Sequence, residues 1–303
     1  MLSRRFLATA FGAVSLVCAA GLAVLPGVAS AAPGAHAGAV TGASAGASVP
    51  TPGGPIVPAV TPGHVSAQGP GQSFSSFSVA KASLNWSGYT VTSSKKFTYA
   101  ESRFVQPAIT CTGTKNTWSS NWVGLDGFND TTVEQDGTAA HCGGPDFTTP
   151  VYKAWYEMYP KGSVNVFTVQ PGDTINTAVS FSNGKFTLTV SDLTSGQSAS
   201  HTAACASCKR ASAEWIIERP ELCTGTSCFL TRLADFDTAS MSAKVRVAGV
   251  SAAQGIPNFR NYNITMVNPT SGGGTETLDT AGKVGGDAFT ATWDALGTTV
   301  PIS

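Results

Sequence analysis

Charge is what this sequence has least of. Asp, Glu, Lys and Arg together make up 12% of its 303 residues, and none occurs between Ala32 and Ala80. That stretch is mostly Ala, Gly, Pro, Ser, Thr and Val, as in P-T-P-G-G-P at Pro50–Pro55. Such a composition has little to bury and little reason to order, so residues 32–82 read as a pro-segment or flexible leader. Within it, G-A-S-A-G at Gly42–Gly46 matches a serine-hydrolase pattern, but that pattern carries meaning only on a strand–turn–helix elbow. Beyond Leu25 no apolar run is long enough to span a bilayer, so no stable membrane association is expected. Basic clusters are missing too. With Arg4 and Arg5 set aside, 16 basic residues face 18 acidic ones without a stripe or block, which excludes a nucleic-acid partner. No H-E-x-x-H or similar cluster is present, so no metal or other cofactor is expected. Past the leader only His141 and His201 remain, and no nucleophile elbow accompanies them, which leaves a serine triad poorly supported.

What is present begins with the N-terminus. Arg4 and Arg5 precede an uncharged apolar run from Phe6 to Leu25, and Ala29-Ser30-Ala31 supplies small residues for cleavage. Residues 1–31 therefore read as a secretory signal peptide and the protein as extracellular. Six cysteines follow it: Cys111, Cys142, Cys205, Cys208, Cys223 and Cys228. An even count in an exported chain reads as disulfides, with 15 possible pairings among six. Cys111–Cys142 is the favoured pair, with the other four pairing among themselves. The competing reading is a four-cysteine zinc site from C-x2-C and C-x4-C, which the oxidising compartment disfavours.

Residues 83–303, about 220 in number, suffice for one sizeable core. They read as short strands punctuated by turns, without a convincing 3.6-residue apolar period. The expected strands are 87–93, 99–105, 119–125, 151–159, 175–182, 185–192, 214–218, 243–248, 262–267 and 288–293. K-F-T-L-T-V-S-D alternates strictly, placing Phe186, Leu188 and Val190 on one face. This indicates an all-β sandwich or barrel. Trp122 and Asp126 fall on one face of N-W-V-G-L-D-G. Trp155 and Glu157 share a face of Y-K-A-W-Y-E-M-Y-P. Tryptophans beside acids suit a cleft with a few polar groups.

S-A-E-W-I-I-E-R-P raises the sharpest question, because Glu214 and Glu218 share a strand face. Four strand residues span roughly 13 Å, too far for the two-carboxylate glycosidase geometries of roughly 5–9.5 Å. One of the two acids therefore needs a partner on another strand. By elimination, the chemistry expected is a carboxylate acting on water.

Five motifs in order carry a resemblance: N-W-S-G-Y (Asn85–Tyr89), N-W-V-G-L-D-G (Asn121–Gly127), V-E-Q-D-G (Val133–Gly137), A-W-Y-E-M-Y-P (Ala154–Pro160) and A-E-W-I-I-E (Ala213–Glu218). Together they resemble the glutamic peptidases, or eqolisins, known mainly from fungi. The resemblance implies an antiparallel β-sandwich of concanavalin A/lectin-like jelly-roll shape with a concave substrate cleft. It implies a catalytic pair, Gln135 and Glu218, with Trp86, Trp122, Asp126, Trp155 and Glu157 around the cleft. It also implies an endopeptidase acting on proteins or peptides, expected as a monomer and active in acid. The chain departs from the fungal pattern at Asp136, at Arg219-Pro220 and in its near-neutral pI of about 6.9, which weighs against a strongly acidic optimum. The alternatives are a carbohydrate-binding or glycan-active sandwich without proteolysis, and an inactive sandwich.

Overall fold

The computed structural model describes residues 78–224 and 227–302. The signal-peptide reading and the leader as far as residue 77 lie outside them. In chain order the strands are β1 (Ser78–Ser83), β2 (Trp86–Thr92), β3 (Phe97–Val105), β4 (Thr117–Leu125), β5 (Val133–Gly143), β6 (Thr149–Tyr159) and β7 (Val164–Thr168). Next come β8 (Thr174–Ser182), β9 (Lys185–Asp192), β10 (Ser198–Ala203), β11 (Ser212–Glu218), β12 (Glu221–Thr224), β13 (Ser227–Leu230) and β14 (Arg232–Leu233). The last are β15 (Thr238–Ser242), β16 (Lys244–Val247), β17 (Arg260–Pro269), β18 (Thr275–Ala281), β19 (Ala288–Trp293) and β20 (Val300–Ile302). One 3-10 turn at Ile256–Asn258 is the only helical element among the described residues.

Local chemistry explains the hairpins. Asn183 (φ 50°) and Gly184 (φ 76°) form the two-residue connection between β8 and β9. Positive φ at both positions suits the right-handed twist of the flanking strands. Beyond that turn β9 buries Phe186, Leu188 and Val190 and exposes or half-exposes the residues between them, as its alternation requires.

The strands make an antiparallel sandwich. One sheet runs β7-β6-β5-β4-β11-β2-β17. The other contains β10, β9, β8, β3, β15, β16, β19 and β18. Strand β17 joins them, pairing with β2 through Arg260–Ile264 and with β18 through Thr265–Pro269. A separate three-stranded ribbon is made of β12, β13 and β20. Strand β1 pairs in parallel with β17, so residues 78–82, at the end of the stretch read as leader, are part of the fold.

The main core lies between the sheets and includes Val91, Val123, Leu125, Trp215 and Ile217 from the first and Phe104, Ile175, Phe186 and Leu188 from the second. The opposite face of the first sheet carries a second apolar cluster: Trp86, Trp122, Val133, Ala139, Trp155, Ile216 and Ile264. Strand β11 is therefore buried along its whole length. The six cysteines pair as Cys111–Cys142, Cys205–Cys208 and Cys223–Cys228. That excludes the four-cysteine zinc reading, because those sulfurs are bonded to one another rather than available as thiolates.

Candidate active site

The tryptophan face is assembled by cross-strand register. At one level lie Glu214, Gly124, Gln135 and Glu157, contributed by β11, β4, β5 and β6. At the next lie Ile216, Trp122, Gly137 and Trp155. A third holds Glu218, Ser120, Ala139 and Lys153. Directly opposed residues project from the same face, so a single face carries Gln135, Glu157, Glu218 and three of the tryptophans. Two glycines accommodate Trp122, Gly137 beside its backbone and Gly124 beside its indole. A Cβ on Gly137 would run into the Asn121 carbonyl oxygen and sit 2.7 Å from Trp122 Cβ, and one on Gly124 would lie 3.0 Å from Trp122 Cζ3. Trp86 packs edge-on against Trp122 at 4.9 Å between ring centroids.

Glu218 is held at both oxygens. Trp122 Nε1 donates to Oε2 at 2.7 Å and Asn85 Nδ2 donates to Oε1 at 3.1 Å. Asn85 is itself oriented, since Ser83 Oγ donates to its Oδ1 at 3.1 Å. Gln135 Nε2 donates to Glu157 Oε2 at 2.6 Å. Gln135, Glu157 and Glu218 are all buried. Burial pushes the Glu157 carboxyl up to about 9; the Gln135 hydrogen bond opposes this and the charge of Glu218 adds to it. Glu157 is thus a neutral acid at pH 7, within the electrostatic reach of Glu218. The register alone sets Glu218 two levels from Gln135, and the Trp122 indole spans the level between. Among the described residues Trp86 Nε1, Trp155 Nε1 and Glu157 Oε1 find no hydrogen-bond partner, so this buried face holds unused polar groups.

The other expected residues separate. Asp126 sits just past β4 at φ 70°. Its carboxylate accepts the backbone N–H groups of Lys209 (2.7 Å), Arg210 (2.6 Å) and Ala211 (2.6 Å), which ties down the segment that enters β11. Glu214 is at Gln135's level, yet its charged neighbours are Asp126, Asp130 and Glu134, and burial holds its carboxyl well above the usual range. Asp136 is buried, and that burial likewise holds it up. Arg219 donates to the Leu84 carbonyl (2.5 Å), Asn268 Oδ1 (2.8 Å) and the Thr298 carbonyl (2.9 Å), so its guanidinium is engaged on the far side of the strand end. His141 stacks on Trp118 and His201 on Tyr156. Sequence reasoning passed over Asn85 as a site residue. Its signal was its place immediately before Trp86 in N-W-S-G-Y.

Comparisons with known proteins bear on the fold and the family of the chain. The Peptidase A4 family model matches residues 84–293. Aspergillopepsin-2 of Aspergillus niger is 33% identical over 144 residues, 44% of this chain and 47% of that protein, so the match takes in about half the length of that relative. Scytalido-glutamic peptidase, solved with a peptide-based transition-state analog, superposes with a TM-score of 0.59 at 24% identity, covering 70% of this chain and 98% of that one. SCP-B, described as a member of the eqolisin family and solved with the tripeptide Ala-Ile-His, gives 0.57 at 22% identity with the same coverage. At these identities the two structures establish the shared β-sandwich.

Proposed function

The chain belongs to the Peptidase A4 family, and on that premise we propose that it is a secreted endopeptidase of the glutamic type, cleaving proteins or peptides with Gln135 and Glu218. The observation that carries the proposal is the anchoring of the pair on one tryptophan face: Glu218 by Trp122 and Asn85, and Gln135 by a neutral Glu157. In the proposed reaction Glu218, as carboxylate, takes a proton from a water that attacks the peptide carbonyl carbon. A Gln135 N–H donates to the developing oxyanion, as preorganised donors do. Glu218 then returns the proton to the leaving amine. The Gln135 amide has two N–H bonds; Glu157 engages one, and the oxyanion requires the other. An amide needs no particular protonation state to donate, which suits work in acid. Three disulfides support secretion, with residues 1–31 as signal peptide and the stretch that follows, toward 82, as leader.

The test is cleavage of a denatured protein by the purified protein, with and without residues 1–77, across pH 2–7 and in the presence of an aspartic-peptidase inhibitor. Cleavage insensitive to the inhibitor is expected. Gln135→Ala and Glu218→Gln should each fold and lose about 10²-fold or more of kcat. Near-parental activity in either variant rejects the pair, and sugar binding without proteolysis favours the glycan alternative.

A further inference from the structure

Strand β5 carries Gln135 on one face and, one residue earlier, Glu134 on the other. Glu134 is buried, and its Oε1 lies 2.7 Å from Cys208 Sγ. Cys208 is bonded to Cys205, and a disulfide sulfur has no proton to give. The proton in this contact is therefore the carboxyl's. We propose that the Cys205–Cys208 disulfide is a thiol–disulfide exchange site for dithiol reductants, in which Glu134 is the acid that protonates Cys208 as it leaves.

The two sulfurs are provisioned differently. Cys205 Sγ accepts the backbone N–H of Cys208 at 3.1 Å and has Ser207 Oγ at 3.5 Å. Those are donors, and they stabilise a thiolate at Cys205 in the reduced state. Cys208 has an acid instead. C-x-x-C spacing lowers a thiol's pKa, and Lys209 lies next in sequence. Both cysteines are half-buried, while Ala204, Ala206 and Ser207 around them are exposed, so a reductant reaches the loop from solvent. Burial first, and the nearby Asp126 and Asp130 next, push the Glu134 carboxyl up to about 9. It therefore keeps its proton at neutral pH, close to an ordinary thiol value of about 8.5.

The step balances as follows. A thiolate of the dithiol attacks Cys205 Sγ and forms a new S–S bond. The Cys205–Cys208 bond breaks, its electron pair passes to Cys208, and the Glu134 proton follows. The second thiol loses its proton to solvent and, as thiolate, attacks the reagent's own sulfur in the mixed disulfide. Cys205 departs as thiolate, the reagent leaves as a disulfide two electrons poorer, and Glu134 is reprotonated by solvent. None of this depends on the peptidase reading.

Partial reduction of the full-length protein with dithiothreitol, trapped by iodoacetamide and mapped by mass spectrometry, compares the three disulfides within one molecule. Cys205–Cys208 should open at least about tenfold faster than Cys111–Cys142 and Cys223–Cys228. Glu134→Gln keeps the shape but has no acid, and should slow that opening about tenfold without altering the near-ultraviolet circular dichroism. Normalised to attacking thiolate, the wild-type rate should fall between pH 8 and 10 as Glu134 ionises, and the variant's should stay flat. The groups facing Glu134 are Asp126 beyond β4, Asp130 in the next loop and Glu214 of β11, with Lys209 beside Cys208. Equal rates for the three disulfides overturn the proposal. So does an unslowed Glu134→Gln variant, or a wild-type rate per thiolate that does not change with pH.

Discussion

At the residue scale, the two acids of β11 look equivalent in sequence and are not so in the fold. Glu218 is supplied with donors by Trp122 and Asn85. Glu214 has acids for its charged neighbours. Hydrogen bonds to a charged group are worth about 1.5–3 kcal/mol each, so the surroundings favour a working carboxylate at 218 and a neutral acid at 214. Glu214→Gln should therefore keep kcat/KM within about threefold of the parent, while Glu218→Gln loses it. The comparison needs only the cleavage assay, and a dead Glu214→Gln with a live Glu218→Gln would reverse the assignment. The sequence already argued that 13 Å of strand separates these acids. It did not reveal which one had partners, because those partners come from β4 and the turn before β2, 96 and 133 residues away in the chain.

At the element scale, the glycines opposite the large side chains make close strand approach possible. A Cβ on Gly137 meets backbone, the Asn121 oxygen and Trp122 Cα, rather than a side-chain tip free to swing aside. Overpacking of this kind costs about 1–3 kcal/mol, so Gly137→Ala should lower the unfolding free energy read from a denaturant titration by that amount and displace Trp122 from Glu218, reducing kcat. A variant with parental stability and rate would show that β4 and β5 have slack here. Each of the ten strands read from alternation and turn residues overlaps an observed strand, with ends displaced by up to two residues. Strand β5, which carries Gln135, was not among them. V-E-Q-D-G is rich in residues that strands disfavour, so nothing local marks it as a strand. What makes it a strand is tertiary: it is flanked by β4 and β6 across eight and eleven paired positions. Strands β1 and β10 were also missed, being small-residue segments whose pairing with β17 and β9 has no local signature.

At the scale of the whole molecule, the fold buries far more acid than its low charge content suggests. Burial pushes Glu134 and Glu157 up to about 9 and Asp279 up to about 8, and it holds Asp136 and Glu214 well above their ordinary range. In the unfolded chain the same groups ionise near 4. Between those limits the native state binds more protons than the unfolded state, so stability is greatest below about pH 4 and is lost as pH rises toward 8–9. Among the groups that titrate below about pH 9, three act in the opposite sense. Asp146 is lowered by hydrogen bonds from Thr148. Asp192 is lowered by Ser195 and Thr194 in spite of its own desolvation. His141 is lowered by burial, so it weakens the fold once pH drops below about 6.5. The raised carboxyls outnumber these, and their shifts are larger. Melting followed by circular dichroism should therefore give a midpoint lower at pH 8 than at pH 4 by about 5 °C or more, the shift that ~2 kcal/mol produces in a chain of this size. Glu214→Gln removes one of the groups and should narrow that gap. A midpoint that holds level or rises with pH would mean that the buried acids titrate as they do in water, and the preference of this fold for acid would have no basis in them.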